Sequence, residues 1–167
     1  MELVHQCCCG LDVHKQTVVA CLLRTATAGR RSKELRTFGT MTDDLLTLAD
    51  WLRAADCTQV AMESTGVSWK PVYNLLEGQG AVLVVNAQHI KAVPGRKTDL
   101  KDAEWIADLV QHGLLRGSFI PDRPQRELRD LTRTRTTLID ERTAVLNRVQ
   151  LGGWRTPPSR RRGWRAT

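Results

Sequence analysis

Four carboxylates have the types and settings that could serve phosphodiester chemistry: Asp12, Glu63, Asp99 and Asp102. Asp99 and Asp102 open the amphipathic segment GRKTDLKDAEWIADLV, Gly95 to Val110. At 100° per residue both fall on the stripe of Ala103, Ile106, Leu109 and Val110, while Lys101, Glu104, Asp108 and Gln111 fall on the opposite face. The bland explanation is an acidic first turn capped by Thr98, since carboxylates suit the positive end of the helix dipole. Acids at the edge of a buried face nevertheless need partners, because an unpaired buried charge costs several kcal/mol or neutralises itself. An arginine or a bound cation would serve. Asp12 sits in the apolar context GLDVH, for which a strand end beside a turn is the ordinary account. Glu63 closes the short run QVAME. Two strand acids and two helix acids make an oxygen-rich set of the kind hard divalent cations such as Mg²⁺ or Mn²⁺ prefer. Two such ions clamp the attacking and leaving oxygens of an in-line phosphoryl transfer.

The elements that must position these groups can be read from periodicity. Residues 7–13, CCCGLDV, and 17–23, TVVACLL, are strand-like runs split by HKQ, and a third strand at 33–38 follows the turn signal TAGR. Leu45, Leu46, Leu48, Ala49 and Leu52 then mark an amphipathic helix with Thr42 as its cap. A strand over 59–63, a helix over 67–77 and a strand over 81–85 follow, and the loop VPGRKT leads into the helix that carries Asp99 and Asp102. The order β-β-β-α-β-α-β-α predicts an α/β fold: a mixed sheet flanked by helices, with parallel strands in its second half. Ligands of such sheets collect beyond the carboxyl ends of parallel strands, where Glu63 stands. Residues 125–150 predict a long polar helix, with Leu131, Leu138 and Val145 at seven-residue spacing and companions Leu128, Arg135, Arg142 and Val149 only half apolar. That pattern fits half of a coiled coil or a helix packed on one face. The stretch 151–167, LGGWRTPPSRRRGWRAT, has no period and predicts a disordered tail.

Composition narrows the classes. Of the 167 residues, the last part from 121 onward holds 12 of the 25 Lys and Arg against 5 of the 18 Asp and Glu, so the net charge of +7 lies there. Basic excess of this kind suits a nucleic acid or is simply a solvated charge run; 5 of those 12 arginines belong to the aperiodic tail. Five cysteines, three of them adjacent, match neither a disulfide framework nor a zinc spacing, and read as small buried hydrophobes of a reducing compartment. With no apolar run of membrane-spanning length and no signal-peptide pattern, a cytoplasmic location is expected. Ser64 and Thr65 read as a helix-opening turn. Lys15, Arg96 and Lys97 flank the acids and are either phosphate contacts or loop charge. Trp51, Trp69 and Trp105 read as packing residues.

The words GLDVHKQTVVACLL, AMESTGVSWKPVYNLL, VNAQHIKAVPGRKTDLKDAEWIADLVQHGLL and FIPDRPQRELRDLTRTRTTLIDERTAVLNRVQ closely resemble the N-terminal half of the DEDD transposases of the IS110 family. These are bridge-RNA-guided insertion-sequence recombinases, related to the Piv invertases. The resemblance runs over roughly residues 8–150 and implies an RNase H-like (RuvC-like) domain over 1–124, a coiled-coil dimerisation segment over 125–150 and a tail over 151–167. It maps the family's acidic tetrad onto Asp12, Glu63, Asp99 and Asp102, as catalytic residues and as ligands of two Mg²⁺ or Mn²⁺ ions. It implies DNA and a guide RNA as partners, homo-oligomerisation through 125–150, and DNA cleavage and strand transfer as the activity. The family's serine-bearing second domain has no counterpart here, so a truncated or frameshifted chain is expected. The alternative is a non-catalytic module, or an inert remnant, that binds nucleic acid or pairs with intact transposase.

Overall fold

The computed structural model describes residues 3–26, 29–64, 66–86, 90 and 102–153. It divides into two compact units, Met1–Ile120 and Pro121–Thr167. The first contains, in chain order, β1 (Cys7–Val13), β2 (Thr17–Thr25), β3 (Arg31–Gly39), α1 (Thr42–Ala54), β4 (Gln59–Ser64), α2 (Trp69–Leu76), β5 (Ala81–Asn86) and α3 (Asp102–Gln111). The five strands form one sheet in the order β3-β2-β1-β4-β5. β1, β2 and β3 are antiparallel neighbours, whereas β4 runs parallel to β1 and β5 parallel to β4. This is the mixed sheet, parallel in its second half, that the order of elements predicts.

Alternation along the strands assigns residues to two apolar layers. Cys9, Leu11 and Val13 of β1 face one way, with Val18, Ala20 and Leu22 of β2 and Val60 and Met62 of β4, and pack under α1 and α2. Cys8, Cys21, Leu23, Ala61 and Val85 face the other way and pack under Ala103, Ile106, Ala107, Leu109 and Val110 of α3. The adjacent cysteines are thus divided between the layers, and all five cysteines are free thiols. Burial pushes the Cys8 and Cys57 thiols up to about 12 and Cys21 to about 11, and lifts Cys9 well above its ordinary value. Above about pH 9 the unfolded chain releases thiol protons that the folded chain still holds, so stability is complete below that pH and falls as pH rises towards 11 to 12. Melting temperatures should therefore decline steadily from pH 9 to 10.5, and the decline should be shallower in Cys57→Ala. A flat profile would contradict the burial assignment.

Several local expectations are corrected. Thr42 is the first residue of α1, not its cap; Met41 holds the cap position and makes no side-chain bond there. β3 is longer than 33–38 because its polar residues pair with β2 along the whole length, from Thr17 opposite Gly39 to Thr25 opposite Arg31. Gln111, expected on the solvent side of its helix, is completely buried. Its Oε1 accepts a hydrogen bond from Arg31 Nε at 2.8 Å, its Nε2 donates to Thr25 Oγ1 at 2.9 Å, and its carbonyl accepts the Val4 and His5 N–H groups. A buried amide satisfied at every group is tolerated.

The described residues of the second unit hold one helix, α4 (Arg123–Gly153), which begins before and ends beyond the predicted 125–150. Its threonines are accommodated by back-bonding: the hydroxyls of Thr132, Thr134, Thr136, Thr137 and Thr143 donate to carbonyls four residues earlier. Beyond Gly153, the predicted tail lies outside the described residues. Among the described residues no helix is long and apolar enough to cross a membrane.

Candidate active site

β1 and β4 are parallel neighbours, in register from Cys9 opposite Val60 to Leu11 opposite Met62. The next residues along the two strands are Asp12 and Glu63. By alternation Asp12 shares a face with Cys8 and Gly10, and Glu63 shares one with Ala61, so both carboxylates belong to the layer that α3 covers. They stand at the carboxyl ends of parallel strands, where open α/β sheets place ligands. The Asp12 side chain is 16% exposed and its Oδ2 lies 3.0 Å from Nε2 of His14, the residue just past the end of β1. Glu63 is half-buried and pairs across the sheet with Val85 of β5.

α3 brings the third acid. Gly10 of β1 sits directly beneath this helix: a Cβ there would lie 2.3 Å from the Ala103 carbonyl oxygen and 2.4 Å from the Ala107 nitrogen. Only a glycine permits that approach. Asp102 precedes Ala103 and is the first residue of the helix, so it stands one residue from the contact that anchors α3 on β1. It is exposed rather than at a buried edge as the helical wheel implied, because the helix begins there while the buried stripe starts at Ala103. Asp99, Arg96, Lys97 and the capping residue Thr98 lie outside the described residues.

The donor chemistry fits a hard divalent cation, since Asp12, Glu63 and Asp102 offer only carboxylate oxygens. Among the described residues, however, no three His, Cys, Asp or Glu side chains are grouped closely enough to hold an ion. Lys15 is exposed in the β1–β2 turn, and its carbonyl accepts the Thr40 hydroxyl at 3.1 Å. Ser64 ends β4, and Thr65 lies outside the described residues. The three tryptophans pack as predicted. Trp51 meets Phe38 at 5.6 Å between ring centroids and lies under Arg36, Trp69 meets Tyr73 edge-on at 5.7 Å, and Trp105 lines the second core layer.

His14 and Gly10 escaped the sequence reading. His14 could have been found from its place just past the strand end, two residues beyond Asp12, and Gly10 from its place inside an otherwise apolar run.

The chain is similar, at 12% identity, to RuvC of T. thermophilus in complex with a Holliday junction substrate, over 68% of this chain and 100% of that one, with a TM-score of 0.48. A second Thermus thermophilus RuvC structure gives 12% identity over 67% and 99%, with a TM-score of 0.47. Fowlpox virus resolvase with Holliday junction DNA gives 13% identity over 54% and 64%, with a TM-score of 0.39. No curated protein sequence matches. The family model of the IS110-type DEDD transposases, described as a transposase, matches residues 9–151. With most of its length inside that match, the chain belongs to the IS110-type DEDD transposase family.

Proposed function

We propose that the first unit is the catalytic domain of a DNA transposase that cuts and rejoins phosphodiester bonds, with Asp12, Glu63, Asp99 and Asp102 holding one or two Mg²⁺ or Mn²⁺ ions. The observation that carries this reading is the placement of Asp12 and Glu63 next to each other at the carboxyl ends of β1 and β4, with Asp102 opening the helix that rests on β1. Divalent ions bound there supply positive charge to the attacking and leaving oxygens of an in-line displacement. The chain's own residues do the rest. Asp12, contacted by His14, and Glu63 are fixed by the sheet, and exposed Asp102 keeps one side of the site open to a DNA backbone. Lys15, three residues beyond Asp12, is placed to meet a phosphate.

The test is nicking of supercoiled plasmid by the chain in Mg²⁺ or Mn²⁺. Because ions of this kind contribute several kcal/mol at the transition state, Asp12→Asn should slow nicking about 1,000-fold. Nicking that persists in EDTA, or that is equal in Asp12→Asn, would overturn the assignment.

Pairing with another copy through α4 is the second part of the proposal, supported by the helix's own surface. Leu131 and Leu138 are 69% and 59% exposed, and Leu128, Val145 and Val149 are also exposed. A threonine-rich helix has low intrinsic propensity and gains most of its stability from packing an apolar stripe. Guide RNA and DNA are the partners proposed for its arginines. Replacing Leu131 and Leu138 by lysine should convert an oligomer into a monomer by light scattering. An unchanged mass would remove α4 from the interface. The reading of the chain as a non-catalytic pairing module would be favoured if pairing were retained while all metal-dependent nicking was absent.

A further inference from the structure

α3 is held on its two flanks by different means. Its apolar side packs on β1, β2 and β4 and touches β1 most closely at Gly10. Towards the edge strand β3 there is no such packing: a cleft of about 410 Å³, lined by Leu23, Arg31, Ser32, Lys33, Glu104 and Asp108, separates helix from strand. Polar side chains bridge that cleft. Lys33 Nζ donates to Glu104 Oε1 at 2.6 Å, Arg31 Nη2 donates to Asp108 Oδ1 at 2.5 Å, and Arg31 Nε donates to buried Gln111 at 2.8 Å. Glu104, Asp108 and Gln111 are spaced by four and three residues, so they form one row along the helix. The row spans nearly the whole of α3.

We infer that this seam, Lys33–Glu104 and Arg31–Asp108–Gln111, is a positioning device that sets where Asp102 stands against Asp12 and Glu63. The inference rests on the metal-centre reading above. Apolar packing is non-directional, so a helix held by its apolar face and one close contact at Gly10 keeps some latitude in its direction, which a second row of directional contacts towards β3 removes. The Gly10 contact spans Ala103 to Ala107, so Asp102 lies about three residues, roughly 4.5 Å, ahead of its centre, and a swing of about 10° displaces it by roughly 0.8 Å. Displacements of that size are enough to damage a reacting constellation. Partly exposed ion pairs contribute little to stability, so the seam's effect belongs in the geometry of the site rather than in the melting temperature. Lys33 and Arg31 bond to Glu104, Asp108 and Gln111, so they act through α3.

The experiment is a Mn²⁺ titration of the full chain, read by electron paramagnetic resonance, for wild type, Lys33→Glu, Glu104→Lys, the double exchange and Asp102→Asn, with melting temperatures alongside. Each single reversal puts like charges across the cleft and is expected to weaken Mn²⁺ binding about tenfold while the protein remains folded. The double exchange, which restores opposite charges, is expected to return within twofold of wild type. The inference is overturned if Lys33→Glu binds Mn²⁺ like wild type while Asp102→Asn does not, which leaves the metal centre standing and makes the seam structural only. It is also overturned if the double exchange fails to recover. Absence of Mn²⁺ binding by wild type is a different result: it removes the metal centre, and the positioning role with it.

Discussion

Gly10→Ala is expected to lower the melting temperature by roughly 10 °C, the equivalent of about 3 kcal/mol for forcing an extra methyl into a packed contact. The new Cβ would meet backbone on the helix side, the Ala103 carbonyl oxygen at 2.3 Å, the Ala107 nitrogen at 2.4 Å and the Ala107 Cα at 3.0 Å. No side-chain rotation relieves a clash with main chain, so α3 must lift from β1 or the strand must bend. Five apolar residues of α3 in the second core layer would lose contact together. Asp102, adjacent to Ala103, would move with the helix, so metal affinity should fall even at temperatures where the variant is folded. Thermal unfolding by circular dichroism checks the first effect. A melting temperature within about 2 °C of wild type would show that α3 is not seated at Gly10 as described.

The second large effect is stabilisation by metal. A ligand that binds only the folded state, present at 100 times its dissociation constant, adds about 2.7 kcal/mol, which for a chain of this size raises the melting temperature by roughly 8 °C. Saturating Mg²⁺ or Mn²⁺ should produce that rise in wild type, and Asp12→Asn, Glu63→Gln and Asp102→Asn should each abolish most of it. The metal-free melting temperatures of these variants should stay close to wild type, because single substitutions of partly exposed charged side chains change stability little. Loss of the metal-induced rise without loss of metal-free stability separates a metal site from an acid that merely supports the fold, whose loss lowers stability with or without metal. Equal metal-induced shifts in wild type and variants would remove the three residues from the site.

The sequence made the sheet legible because strands and helices differ in period. CCCGLDV and TVVACLL alternate between two buried faces, while Leu45 to Leu52 repeat at helical spacing, and the hairpin-linked strands before the αβ alternation already imply mixed directions. The placement of Asp12 and Glu63 just past the paired stretch of two adjacent strands was legible only in part. Each could be placed at a strand end, but their side-by-side register depends on β1 lying beside β4 in the sheet, with β2 and β3 on its other side. The wheel of α3 gave the buried stripe correctly through Ala103, Ile106, Leu109 and Val110. It failed at the two ends of the helix, for different reasons. Asp102 projects at the start, before the helix is fully covered, and a wheel knows nothing of where a helix leaves its sheet. Gln111 is buried because Arg31 and Thr25, some 80 and 86 residues earlier, satisfy its amide, and no local pattern carries a pairing so distant. Thr42 failed as a cap for a smaller reason: the backbone turns helical one residue sooner than its side chain would require.

Everything proposed for the first unit depends on these carboxylates sharing a metal. The most direct test is a crystal structure of the chain grown with Mn²⁺, with the ions located by their anomalous scattering. One or two Mn²⁺ ions are expected at the carboxyl ends of β1 and β4, with oxygens of Asp12, Glu63 and Asp102 at about 2.2 Å and Asp99 completing the set. Saturating Mn²⁺ with no ion at these carboxylates, or ions bound only elsewhere on the chain, would contradict it.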